Sequence, residues 1–376
     1  MRLEATELTE AELELQQEVR EFLAERLPAG SYPIGLGVPG AVDPEFSKAL
    51  GARGWLGMAL PREYGGGGRS AVERLIVAEE LLAVGAPVGY HWIGDRQSGH
   101  SIAASGTEAQ KRALLPGIVS GELSFGIGMS EPSAGSDLAG LRTRARPVEG
   151  GWSVTGTKIW TTGALHATHF LALFRTADER HGGLTQFIVE RDLPGLTIAA
   201  IPFIDGTEDF CELTFDEVFI PDEMRLGEIG AGWGQNIAEL ALERGGVDRW
   251  MSMVPVLDHW SRGGFGPLSE AAREDLGLIV ARMWGLRGIS LSIARAVDEG
   301  RTPSIEAALA KEMATRFEQD CVEVVSRHFG RTPDPSSDDP YEQLLARAIL
   351  VSPSWSIRGG TIEILRNIVS KGLGIA

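Results

Sequence analysis

The sequence predicts an α+β protein in three consecutive parts: an N-terminal helical domain over residues 1–122, a middle antiparallel β domain over 123–226 and a C-terminal helical bundle over 227–376. Three observations predict this. Leu13, Val19, Phe22, Leu23 and Leu27 recur at spacings that one helix face can bury. From about residue 123 the pattern changes to short alternating or apolar runs separated by Gly- and Pro-bearing turns. Beyond 227 the helical spacing returns, in Ile237, Leu240, Val247, Met251 and Val254.

Taken in order, the first helix stops at Pro28 and the Gly/Pro-rich run 30–40, and a second runs from Pro44 to Arg53. The glycines at 65–68 break the chain before a helix from Val72 to Val84. Tyr90 to Gln97 mixes polar and aromatic residues, with His91 and His100 read as hydrogen-bonded packing residues. Thr107 caps the next helix, with Gln110 completing a capping box, and Pro116-Gly117 marks a bend. Strands are expected at 151–155, 170–174, 185–189, 197–201 and 211–215, with turns at His181-Gly182-Gly183 and Leu193-Pro194-Gly195. Gly230 to Gly234 opens one long helix reaching Val254, residues 331–339 form a polar loop, and an amphipathic helix with Ile364, Leu365, Ile368 and Val369 closes the chain.

Composition narrows the class. A hydrophobic content of 43% and a charged content of 23% are those of a soluble globular protein. No run reads as a membrane span of roughly 18–20 apolar residues. The acidic, amphipathic first 27 residues are no signal peptide, so a cytoplasmic protein is expected. The net charge of −17 argues against nucleic acid or an anionic membrane as partner. Any anionic ligand then needs a local cluster of Arg. Cys211 and Cys321 fit no metal or redox spacing and are expected as packed thiols; no ligand spacing around His166 and His169 suggests a metal.

The richest stretch lies between Leu123 and Thr162. An apolar run containing Phe125, Ile127 and Met129 ends in Ser130-Glu131-Pro132, followed by Ser133-Ala134-Gly135-Ser136-Asp137. Small residues and hydroxyls this dense after a strand let peptide N–H groups approach an anion such as a pyrophosphate. A second run, with Trp152, Val154, Gly156, Lys158 and Trp160, alternates like a half-buried strand and carries an indole where a flat ring can lie. Either run alone also describes an ordinary loop or a core aromatic. Together, S-E-P-x-A-G-S-D followed by G-x-K-x-W-x-T resembles the flavin-binding core of the acyl-CoA dehydrogenase family, and the resemblance extends from Tyr64-Gly65-Gly66 to the last helix.

That resemblance implies an acyl-CoA dehydrogenase fold, FAD as cofactor and an oxidoreductase of lipid metabolism and fatty-acid β-oxidation, making a 2,3-enoyl-CoA. A base takes the α-proton of an acyl-CoA substrate, hydrogen bonds hold the thioester carbonyl, and flavin N5 accepts a hydride from the β-carbon. It places Ile127, Met129 and Ser130 along the ring edge, Gly135 and Ser136 at the pyrophosphate, Trp160 and Thr162 around the isoalloxazine, and Thr361 in the cofactor site. Many members carry their base in a C-terminal Y-E-G-T segment. Here Arg358-Gly359-Gly360-Thr361 stands there, so Gly359 can offer only its peptide N–H to the thioester. A subset resembling isovaleryl- and long-chain acyl-CoA dehydrogenases has the Glu just before an Arg on an earlier helix. Leu242-Glu243-Arg244-Gly245-Gly246 matches, making Glu243 the expected base and Glu363 the fallback. Two glycines inside a helix cost roughly 1 kcal/mol each; close approach of a ligand would explain them. Arg244 and Arg249 are expected near the CoA. Arg262-Gly263-Gly264-Phe265-Gly266 resembles the R-x-x-F-G that reaches a neighbouring subunit's flavin, whereas the later Q-x-x-G-G-x-G is not recognisable.

The resemblance further implies an electron-transfer flavoprotein as electron acceptor and a homo-oligomer, dimer or tetramer. Two alternatives stand beside it. One is a catalytically weak or silent subunit of a hetero-oligomer, favoured by the missing C-terminal Glu. The other is a flavin-dependent oxidase or monooxygenase of the same fold, marked by rapid reoxidation in air.

Overall fold

The computed structural model describes residues 3–38 and 41–375, and for 240–244 the backbone alone. Eleven helices appear among the described residues: α1 (Glu10–Arg26), α2 (Pro44–Ala52), α3 (Ala71–Ala83), α4 (Gly99–Ser105), α5 (Glu108–Val119), α6 (Gly232–Arg244), α7 (Val254–Ser261), α8 (Glu270–Asp298), α9 (Ser304–Phe329), α10 (Pro340–Val351) and α11 (Ile362–Gly372). Eight strands lie between α5 and α6: β1 (Phe125–Gly128), β2 (Arg144–Val148), β3 (Gly151–Thr162), β4 (His169–Arg175), β5 (Leu184–Glu190), β6 (Leu196–Ile201), β7 (Phe210–Pro221) and β8 (Arg225–Leu226). The helical, β, helical order is as expected.

The strands form one sheet in the order β6-β7-β3-β2-β4-β5-β8, with β1 alongside β4. Most pairs are antiparallel, but β1 and the end of β2 join β4 in parallel, so the sheet is mixed rather than purely antiparallel. β4 explains its unbroken Phe-Leu-Ala-Leu-Phe run by being covered on both faces. Leu171 and Leu173 pack with Ile102, Leu114, Leu115 and Ile118 of α4 and α5. Phe170, Ala172 and Phe174 pack with Trp152, Phe187, Phe215 and Val218.

The chain divides into two compact units, each discontinuous in sequence. One holds 42–69 and 88–240, with α2, α4, α5 and the whole sheet; the other holds 1–41, 70–87 and 241–376. In the latter, buried carboxylates of α1 and α3 take arginines of α8: Arg295 bonds Glu12 at 2.6 and 2.5 Å, and Arg287 bonds Glu79 at 2.7 and 2.8 Å. These pairs make α8 a bundle helix, although by length and composition it is apolar enough to cross a membrane.

Two helix expectations are corrected. The helix opened by Gly232 does not run on to Val254; it ends at Arg244, a 3-10 turn spans Val247–Arg249, and α7 begins at Val254. The glycines are the joint, and a Cβ at Gly245 would lie 2.8 Å from Ile293 of α8, so the close approach is to a neighbouring helix. Pro116 does not bend the chain out of α5, which continues to Val119. The capping box forms as expected, with Gln110 NH accepted by Thr107 Oγ1 and Thr107 NH by Gln110 Oε1. His91 is a packing residue: it is buried against Ser47 Oγ at 2.9 Å, and burial pulls its pKa down to about 4. Cys211 and Cys321 are buried free thiols.

Candidate active site

The Ser130 segment and the Trp160 segment are brought together in one half-site. β1 delivers Met129 and Ser130, and the turn after it closes through reciprocal backbone hydrogen bonds, Glu131 NH to Ala134 O at 2.9 Å and Ala134 NH to Glu131 O at 3.0 Å. Ile159 NH donates to Ser130 O at 2.9 Å. Directly beneath, Lys158 Nζ meets Glu131 Oε1 at 2.8 Å and Met129 O at 3.1 Å. The Glu131 carboxylate also accepts Arg142 NH at 2.6 Å and Thr143 NH at 2.8 Å. Both side chains are buried, at 0% and 4% exposure. Burial pushes the Glu131 carboxyl up, but Lys158 and the donors around it outweigh burial and hold it below the ordinary range. Burial pulls Lys158 down to about 8 against the pull of Glu131. A buried charge pair this fully bonded ties the two motifs into one rigid body.

Trp160 is presented by a bulge. β3 pairs with β7 as Lys158 to Leu213 and Thr161 to Cys211, so β3 spends one residue more than its partner. Trp160 takes φ 62°, a left-handed conformation that bulky residues avoid. Its indole turns outward, 51% exposed, with its edge on Phe210. Beside it Thr161 Oγ1 is buried without a hydrogen-bond partner.

This half-site fits a flavin dinucleotide. Ser133, Gly135 and Ser136 are exposed, and a Cβ at Gly135 would meet nothing of the chain within 4 Å, so the chain's own packing does not demand the glycine. Room there for a phosphate and an exposed, strained indole for a ring are features a ligand explains. Met129 is the exception among the expected contacts: its side chain is buried in the core with Ile93 and Leu141, so the strand end offers its backbone and Ser130. Ile127 and Thr162 are half-buried.

In the other unit the expected residues have mixed fates. The side chains of Glu243 and Arg244 lie outside the described residues; their backbone forms the last turn of α6. Arg249 is buried and pairs with Asp248 at 3.2 Å. Arg262 is exposed and bonds Asp258 at 3.0 and 2.9 Å, while Phe265 packs edge-on against Phe329 and His259. Gly359 and Gly360 take φ 66° and 101°, and Thr361 caps α11 by accepting Ile364 NH at 3.3 Å. Arg358 bonds Glu318, which is wholly buried and also accepts Ser252 NH at 2.8 Å.

Glu131, Lys158, Glu318 and Arg358 were missed as site residues. For Lys158 a signal was present: the alternation of Trp152, Val154 and Gly156 puts it on the core face of its strand, where an ammonium needs an anion.

Comparison with known proteins agrees over the whole length. The acyl-CoA dehydrogenase N-terminal, middle and C-terminal domain models match residues 9–122, 126–218 and 230–374. The chain belongs to the acyl-CoA dehydrogenase family. It is 31% identical to the acyl-CoA dehydrogenase FadE26 of Mycobacterium tuberculosis, over 95% of this chain and 94% of that one. It is 29% identical to mitochondrial isovaleryl-CoA dehydrogenase of Pongo abelii, over 97% and 89%. Among solved structures it is similar to the Tcur3481-Tcur3483 steroid ACAD, with a TM-score of 0.87 and 29% identity over 98% of this chain and 99% of that one. It is also similar to the ChsE4-ChsE5 complex of Mycobacterium tuberculosis, with a TM-score of 0.82 and 28% identity over the full length of both. As an acyl-CoA dehydrogenase the protein is an oxidoreductase with FAD as its cofactor.

Proposed function

We propose that this acyl-CoA dehydrogenase forms a 2,3-enoyl-CoA with Glu243 as the base that takes the α-proton. The observation that carries the reading is the absence of a carboxylate at Gly359, together with a Glu on the last turn of α6. A left-handed glycine exposes its peptide to a ligand without side-chain obstruction, so Gly359 NH donates to the thioester carbonyl and stabilises the enolate as the α-proton leaves. An acyl chain seated beside Glu243 strips water from it, raising its pKa toward the working pH. Ser130, Ser136 and Trp160 hold the cofactor, and Thr361, as the cap of α11, stands beside Gly360. FAD, when bound, supplies the two-electron acceptor, and an electron-transfer flavoprotein reoxidises it.

The test is anaerobic titration of the purified yellow protein with acyl-CoAs while flavin absorbance is followed. The panel includes branched and ring-bearing thioesters, because similar proteins carry isovaleryl and steroid names. Glu243→Gln keeps its FAD and loses about 10²–10⁴-fold in the rate of bleaching. Bleaching at the unmodified rate would remove Glu243 as the base.

A second reading is a hetero-oligomer. Arg262 and Phe265, expected to reach a neighbouring flavin, are engaged within their own unit, and two similar solved structures carry two-component names. Leu278 and Trp284 of α8, 66% and 73% exposed, leave apolar surface open to a neighbour. A pull-down from the native source separates the cases: a stoichiometric second acyl-CoA dehydrogenase subunit supports the hetero-oligomer, and this chain alone overturns it.

A further inference from the structure

One face of α9 holds the segment that leads into Gly359. Lys311, Thr315, Glu318 and Gln319 follow one another at the spacing of a single helix face. Lys311 Nζ donates to Trp355 O and to Thr315 Oγ1, each at 3.0 Å. Gln319 Nε2 donates to Ser352 O at 3.0 Å. Glu318 takes the Arg358 guanidinium and the Ser252 peptide NH. The three points held on the segment are residues 352, 355 and 358. Its Ser352–Ser356 part is a 3-10 helix with three residues per turn, so residues 352 and 355 share one face of it, and Arg358 follows in the turn beyond. Lys311, Thr315 and Glu318 have no solvent exposure.

Burying an ammonium and a carboxylate on one helix face costs several kcal/mol per ion before pairing, and well-packed apolar residues hold a segment as firmly. What polar rungs add is direction. Each fixes a carbonyl or a guanidinium at one distance, and the last rung is the residue immediately before Gly359. On the other side Thr361 is fixed as the cap of α11. Gly359 and Gly360 lie between these two ends, which bear directly on the direction of their peptide planes.

We propose that Lys311, Glu318 and Gln319 are positioning residues for the Gly359 peptide, aiming its N–H at the thioester carbonyl. This rests on the dehydrogenase reading above. The three act through Arg358 and the 352–358 segment and touch no substrate. Small displacements of an aligned donor cost rate without costing affinity, about 10²-fold for 1 Å.

The experiment uses the FAD-loaded protein and three variants: Lys311→Met, which keeps the stem and removes two hydrogen bonds, Gln319→Leu and Arg358→Lys. Each is measured for flavin reduction by the best thioester of the panel. Each is also measured for the long-wavelength absorbance that a thioester enolate makes beside oxidised flavin. The expected result is unchanged FAD content, KM within about twofold and a rate of flavin reduction lowered about tenfold or more in Lys311→Met. The enolate absorbance weakens in step, and Arg358→Lys retains more rate than Lys311→Met. Gln319, half-buried, tolerates replacement even if Lys311→Met fails to fold. Unmodified protein that bleaches, with folded variants that bleach equally fast and show full enolate absorbance, overturns the inference alone. If no thioester bleaches the unmodified protein, the dehydrogenase reading falls and this inference with it.

Discussion

Two buried ion pairs stand behind the Ser130–Gly135 turn and the Gly359-Gly360 segment, and they are built differently. Lys158–Glu131, behind the Ser130 turn, is closed: the ammonium has a carboxylate and a carbonyl, and the carboxylate has two peptide donors besides. Arg358–Glu318, behind Gly359, is open. Arg358 keeps a fifth of its side-chain surface exposed, and its Nε is buried without a hydrogen-bond partner. Burial pushes Glu318 above the ordinary carboxylate range despite Arg358 and Ser252, whereas Glu131 is held below it. A cofactor platform calls for rigidity, which a satisfied network provides. Behind Gly359 the open pair is supplemented by the Lys311 and Gln319 rungs, which hold the carbonyls of Trp355 and Ser352.

The sharpest way to break this comparison is Lys158→Met. It leaves Glu131 buried and anionic, an expected loss of ~3–5 kcal/mol, read as a lower denaturant midpoint. Adding Glu131→Gln restores part of that, because the neutral amide no longer demands a cation. A loss under 1 kcal/mol in the single variant would mean that the pair is no keystone of the half-site.

Arg358→Met is expected to cost less, about 2 kcal/mol, because Glu318 keeps the Ser252 donor and can neutralise itself by taking a proton. The pH dependence has a definite sign. Glu318 has a folded pKa raised above its unfolded one, so the penalty of burying its charge is absent below the unfolded value and grows as pH rises through the folded one. The deficit of Arg358→Met therefore widens as pH rises above the ordinary carboxylate range in urea melts, while that of Lys158→Met, whose carboxylate keeps two peptide donors, changes less. Parallel curves for the two variants would erase the distinction between closed and open pairs.

How much of this was legible depends on what each feature rests on. Local signals read true: the Thr107 capping box and the unbroken apolar run of β4 each dictate their own structure within a few residues. Features set by distant neighbours did not. Gly245 was read as making room for a ligand, because the nearness of Ile293 is written nowhere around it. The burial of Arg249 with Asp248 was equally unwritten, because an adjacent acid does not announce that both are buried. The pairing of Glu12 and Glu79 with arginines of α8, more than 200 residues away, is likewise written nowhere around them. The Trp160 bulge also escaped, since strict alternation across 152–160 implies a regular strand.

That bulge supports the finest test. A non-glycine residue at φ 62° is strained, and relaxing it gives back energy unless the side chain repays it in the folded protein. Trp160 is half exposed and touches Phe210 at 6.1 Å, so its own packing repays little. In Trp160→Gly the strain disappears and some burial is lost, leaving the cofactor-free protein within about 1 kcal/mol of its starting stability. The proposed ring-facing role adds the opposite sign for the holoprotein. FAD affinity falls, so the stabilisation that saturating FAD gives to the melting curve shrinks in the variant. A cofactor-free protein that loses several kcal/mol would show that the indole holds the chain together; equal FAD stabilisation in both proteins would show that the strained residue serves something other than the flavin.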